Sequence, residues 1–110
     1  MRPRSALLLL AALTLFAGCA KKPETPPEIY AAYCARCHGD KGEGNPRAAK
    51  TARNLDLRAS AMVKRQDRAL IRERIAKGYG TMPGFSRRLT AQEIESMVDF
   101  TIELQRKAGR

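Results

Sequence analysis

An all-α fold of three main helices is what this sequence predicts, and three observations carry the prediction. Helix-start and helix-stop signals frame three segments; no stretch alternates apolar and polar residues as a strand would; and no internal repeat points to a solenoid. With 110 residues, 44% of them hydrophobic and none of them tryptophan, the chain has material for one small domain. A chain this short buries only roughly two-thirds of the surface its unfolded form exposes. Something other than side chains has to complete its core. Three cysteines and one histidine exclude a multi-disulfide scaffold and any site that needs two histidines.

The amino terminus comes first. Arg2 and Arg4 precede an apolar run from Ala6 to Gly18, with small residues around Cys19. This is the pattern of an export signal over residues 1–18, and it stops short of the roughly 20 apolar residues a membrane span takes. The run Leu15-Phe16-Ala17-Gly18-Cys19 resembles the lipobox of bacterial lipoproteins, which implies that Cys19 becomes a lipid-bearing first residue; Phe16 departs from the usual aliphatic. The alternative is cleavage after Ala20 and release of a soluble periplasmic protein. Residues 19–27, with Lys21, Lys22, Pro23, Pro26 and Pro27, read as an extended tether reaching about 25 Å at ~3.1 Å per residue. The remaining domain is expected over residues 28–110.

Thr25 and Glu28 have capping-box spacing, and Pro27 suits a first helical position, so a helix starts here and runs toward Cys34. Cys34-Ala35-Arg36-Cys37-His38 is the CxxCH pattern of covalent haem attachment. At i, i+3 and i+4 on a helix the three side chains share one face, so two thiols can bond a flat porphyrin whose iron the imidazole of His38 meets. A structural zinc site needs a fourth ligand, and only distant Cys19 remains. A redox dithiol wants a βαβ setting that is missing. Gly39, Gly42 and Gly44 then open a loop. A second helix is expected from Asp67, its N-cap, to Lys77, stopped by Gly78, with Leu70, Ile71 and Ile75 buried. A third starts at the capping box Thr90-Ala91-Gln92-Glu93 and stripes Ile94, Met97, Val98, Thr101 and Leu104 on one face.

Taken together, IYAAYCARCHGDKGEG, ARNLDL, IAKGYGTMPGF and LTAQEIESMVDFTIEL, in that order between Glu28 and Gln105, resemble the bacterial class I cytochrome c family. The resemblance implies a class I cytochrome c-like fold, three helices packed around one covalent haem c. It also implies that a methionine before a proline supplies the second axial ligand. Met82, in Gly80-Thr81-Met82-Pro83-Gly84, fits; Met62 is the rival without that frame, and Met97 reads as core. The family places a proline carbonyl on the ring N–H of the ligating histidine, a role that would fall to Pro46. Arg53 and Asn54, ahead of Leu55, fall where a haem propionate would be met, and Leu55 counts with Arg53 as haem-binding, although Arg53 is equally an ordinary solvated arginine. Phe100 is implied to pack near Tyr30. Thr101 departs from the family's larger aliphatic.

Iron filled on both sides by His38 and Met82 has no vacancy for oxygen or peroxide, so the expected function is one-electron transfer rather than enzymatic turnover. The expected setting is a carrier between membrane-associated respiratory partners. The alternatives are an electron-accepting subunit of a periplasmic dehydrogenase or oxidase, and a haem sensor or peroxidase-like protein if Met82 does not bind. With 21 Lys and Arg against 11 Asp and Glu, partners with acidic docking faces are expected. Lys64, Arg65, Arg68, Arg72, Arg74, Lys77, Arg87 and Arg88 bracket the Met82 loop in sequence. Export and the lack of an aromatic platform between basic residues speak against nucleic acid. A monomer or a subunit of a redox complex is expected.

Overall fold

The computed structural model describes residues 18–110. The expected signal over residues 1–18 therefore lies outside the described residues apart from Gly18. Five helices follow in order: α1 Pro26–Tyr33, α2 Ala35–His38, α3 Ala61–Lys64, α4 Arg68–Lys77 and α5 Ala91–Ala108, with a 3₁₀ turn at Ala48–Lys50. Among the described residues there is no sheet, only an isolated bridge between Tyr79 and Met82. No helix among them is long and apolar enough to cross a membrane.

The caps expected from sequence set the ends of the long helices. Thr90 Oγ1 accepts from the Glu93 N–H at 3.1 Å while Glu93 Oε2 accepts from the Thr90 N–H at 2.7 Å, a complete capping box that satisfies two orphan donors of α5. Asp67 Oδ1 accepts from the Leu70 N–H at 3.2 Å and starts α4; Gly78, at φ 80°, ends it. At α1 the N-cap is Thr25, whose N–H donates to Glu28 Oε2 at 3.0 Å, and Pro26, rather than the expected Pro27, is the first helical residue. The helix thus enters the segment expected to be tether, because proline's fixed φ suits a first turn as well as an extended chain.

The hydrophobic stripe of α5 divides the core in two. Ile94 and Met97 join Ile29, Tyr30, Phe85 and Leu89, against which Tyr33, Cys34, Leu57, Ile75, Met82 and Phe100 pack. Val98 and Ile102 join Val63 and Ile71, with Met62 and Ile75 alongside. Met97 is 1% exposed, the packing role expected for it. Phe100 lies on Tyr30 with ring centroids 5.0 Å apart, as the resemblance implied. Leu70 and Ile75 differ from expectation in being only half-buried; Ile71 is buried as expected, and Ile75 still packs against both clusters whereas Leu70 joins neither. Ionic ties reinforce the α4–α5 contact: Arg68 meets Asp99 at 2.7 Å and Glu95 at 3.2 Å, and Arg72 meets Glu95.

Candidate haem site

The first helix does not run unbroken through the CxxCH segment. Cys34 closes α1 and opens α2 with φ −117°, and its carbonyl accepts from both the Cys37 N–H at 3.1 Å and the His38 N–H at 2.9 Å. The turn is tightened around a shared acceptor. Cys34 is half-buried in the first core cluster, whereas Cys37 faces solvent. Burial first, and then the neighbouring Cys37, push the Cys34 thiol up to about 11. All three cysteines are free thiols, so Cys34 and Cys37 are available for thioether bonds. Among the described residues no group of three or more His, Cys, Asp or Glu side chains is arranged around one point as a metal cage requires. Two free sulfurs three positions apart in the chain suit a flat ligand bonded at two places.

His38 is oriented by the loop that follows it. Its Nδ1 lies 2.7 Å from the Leu55 carbonyl oxygen. A carbonyl only accepts, so Nδ1 carries the proton and Nε2 is the nitrogen left for a metal. The sequence reading gave this acceptor role to Pro46; the structure gives it to Leu55. The reason is backbone pairing. Gly44 N–H donates to the His38 carbonyl at 2.6 Å, Asn45 N–H to the Cys37 carbonyl at 2.8 Å, and Leu57 N–H to the Gly42 carbonyl at 2.8 Å, which lays the 55–57 segment along the loop. Asn54, in the left-handed region at φ 58°, turns the chain just before Leu55. Pro46 and Arg53 instead line an open depression of about 420 Å³ with Asn54 and Leu55. Arg53 is exposed there, placed to meet an anionic group but held by no side chain.

Met82 sits on the same cluster as Cys34, whereas its rival Met62 packs against the other. The turn presenting Met82 is fixed by a reciprocal pair of backbone bonds: Tyr79 N–H to the Met82 carbonyl and Met82 N–H to the Tyr79 carbonyl, each 3.0 Å. Its base is welded to α4. Phe85 N–H donates to the Ile75 carbonyl at 2.9 Å and Ser86 N–H to the Ala76 carbonyl at 3.2 Å. Such contact requires glycine at two places. A Cβ on Gly78 would strike the Met82 carbonyl oxygen, and one on Gly84 would stand 2.7 Å from the Lys77 carbonyl. Sequence reasoning named the glycines near Met82 but missed the welding of Phe85 and Ser86 to α4, which no local pattern encodes.

The basic residues around this turn are not all free. Arg65 pairs with Asp67, Arg68 and Arg72 with α5, and Lys77 with Glu73. Of the cations that bracket the loop in sequence, Lys64, Arg74, Arg87 and Arg88 have no carboxylate partner among the described residues. Cys19, expected to bear lipid, is exposed in an extended segment.

A small helical shell that closes over a CxxCH turn, with a methionine brought to the cysteine cluster, is the arrangement of c-type cytochromes. The family model described as cytochrome c oxidase, cbb3-type, subunit III matches residues 21–100. Cytochrome c6 of Gloeothece citriformis is 36% identical over 81 residues, covering 73% of this chain and 69% of that protein. Cytochrome c6 of Microcystis aeruginosa is 36% identical over 75 residues, covering 67% of this chain and 86% of the relative. The solved KustC0563 c-type cytochrome shares the fold, with a TM-score of 0.64 at 21% identity over 74% of this chain and 99% of its own. The chain belongs to this cytochrome c family, an all-α haem c protein that carries electrons.

Proposed function

We propose that the chain is a one-electron carrier whose haem iron is held by His38 Nε2 and Met82 Sδ. Haem c supplies a one-electron ferric–ferrous couple when bound. Cys34 and Cys37 hold it through thioethers, the Leu55 carbonyl fixes the His38 ring, and the hydrogen-bonded turn holds Met82 in place. A soft thioether favours the ferrous state, and the apolar cluster limits reorganisation of water when the charge changes. The observation that carries this reading is that Met82, and not Met62, shares its cluster with Cys34. With both axial positions filled, the chain transforms no substrate of its own.

The test is the absorption spectrum of protein matured with a haem-attachment system. The wild type is expected to show the far-red sulfur-to-iron band in its ferric form. Met82→Ala is expected to lose that band, to drop in reduction potential and to bind carbon monoxide when ferrous. An unchanged spectrum in the variant removes Met82 from the iron.

The proposed setting is the periplasmic side of a bacterial membrane, with residues 1–18 removed, Cys19 lipidated and residues 19–27 as linker. Mass spectrometry of the mature amino terminus tests it; an unmodified terminus at residue 21 means cleavage after Ala20. Donor and acceptor proteins with acidic faces suit the surplus of cations. A second reading, an electron-accepting subunit of an oxidase or dehydrogenase, is supported by the oxidase-subunit description of the matching family. Co-purification with a catalytic chain at fixed stoichiometry separates the two.

A further inference from the structure

The chain ahead of α1 is fastened to α5 rather than left free. Lys22 Nζ donates to Glu93 Oε1 at 3.2 Å, across 71 positions of sequence. Glu93 is placed to hold it: its Oε2 accepts from the Thr90 N–H at 2.7 Å, which leaves Oε1 for the ammonium, and its side chain is only 20% exposed. Behind Lys22 a single carboxylate fixes the direction of the chain, since the N–H groups of Glu24 and Thr25 both donate to Glu28 Oε2, each at 3.0 Å. Pro23 and Pro26 stiffen the same stretch. Glu24, Pro26 and Ile29 line one cleft together with Thr90, Gln92 and Ser96, so this segment and the start of α5 face each other. Lys21 differs, because its partner, Glu24, lies within the segment itself and both side chains are largely exposed.

We propose that residues 22–25 are a strap clamped on the start of α5, and that the clamp turns the amino-terminal ends of α1 and α5 toward the bilayer that holds Cys19. The proposal rests on the lipid-anchor setting given above and adds the spacing and the facing end. With the strap clamped, residues 19–21 alone join lipid to domain and reach about 9 Å at ~3.1 Å per residue, whereas a released strap lets residues 19–25 reach about 22 Å. An isolated ion pair on a surface contributes little, because two long side chains lose freedom to form it and water screens them. Here the capping box has already oriented the carboxylate, and the prolines leave the strap few conformations to lose. Clamping therefore freezes little additional motion. A clamped leash keeps the haem domain at one height above the lipid; a free one lets it tumble.

The clamp is tested by NMR order parameters of the backbone N–H groups of Lys22 and Glu24 in the ferrous holoprotein with residues 1–18 removed. The wild type is expected near the rigid value of about 0.85, and Lys22→Gln is expected to fall below about 0.6. Glu93→Gln, which keeps a capping-box partner for Thr90 but removes the charge, is expected to fall as far, and the double variant no further than either single change. Lys21→Gln is expected to stay at the wild-type value. Mobile Lys22 and Glu24 in the wild type overturn the proposal, as do values unchanged in both Lys22→Gln and Glu93→Gln. The spacing is tested by neutron reflectometry of the lipidated holoprotein on a supported bilayer of phosphatidylglycerol and phosphatidylcholine. Lys22→Gln is expected to thicken the protein layer by up to about 12 Å, the length of four freed residues at ~3.1 Å each; equal layers for wild type and variant overturn the spacing. Mass spectrometry of the same sample scores the anchor separately: a terminus without lipid defeats the setting and the facing end, whereas the order parameters decide the clamp with no lipid present.

Discussion

Tyr30 is 3% exposed, and its hydroxyl donates to the Gly39 carbonyl at 2.6 Å, joining α1 to the residue after His38. Burial, the largest cause, pushes its ionisation above the ordinary tyrosine range. The unfolded chain ionises near pH 10, so it sheds the proton first. The Tyr30 contribution to stability is therefore complete below about pH 10 and is lost as pH rises toward the folded value. Tyr30→Phe is expected to cost about 1 kcal/mol at neutral pH and to flatten the alkaline fall in melting temperature. An alkaline limb as steep as that of the wild type assigns the pH dependence elsewhere. His38 illustrates the limit of reading residues in sequence. The ring's partner is a backbone carbonyl, and every residue offers one; only the pairing of the 42–45 loop with the 55–57 segment selects Leu55 over Pro46.

At the scale of elements, α4 and the turn after it act as one piece. Gly84→Ala would place a methyl 2.7 Å from the Lys77 carbonyl, closer than backbone can yield without moving the turn. The expected outcome is weakening or loss of the far-red band with the helix content in circular dichroism kept; an intact band means that the turn can shift without disturbing the ligand. The helices with strong local signals were legible in advance. Thr90, Glu93, Asp67 and Gly78 act through bonds to residues three or four positions away, so sequence alone contains both partners. Helix α3 carried no such signal. It is one turn long, Ser60 makes no side-chain cap, and a period cannot be read from four residues, yet Val63 within it is fully buried. Phe85 and Leu89 were likewise unreadable as core, because they are buried by α4 and α5 folding over a loop. Among the site residues, Cys34, Cys37 and His38 share one motif and were visible; the role of Leu55 depends on contacts across the fold.

For the whole molecule, the first cluster contains a cysteine and a methionine that the haem group is proposed to bond, so part of the core is the cofactor. A double Cys34→Ser, Cys37→Ser variant is expected to hold no covalent haem and to lose cooperative melting along with most of its helix signal. A sharp thermal transition in that variant would show that the shell stands by itself. The surplus of cations over acids is expected to make association with the proposed acidic partners fall steeply with salt, while the exposed arginine pairs between α4 and α5 add little to stability because solvent screens them. The split of the core has a practical corollary. Val63, Ile71, Val98 and Ile102 form a group apart from the one on which Met82 packs, and Ile75 is the side chain common to both. Durability and voltage can therefore be tuned by separate dials: repacking the far group adjusts how long the molecule survives heat, and edits near the sulfur ligand adjust where it sits on the electrochemical scale.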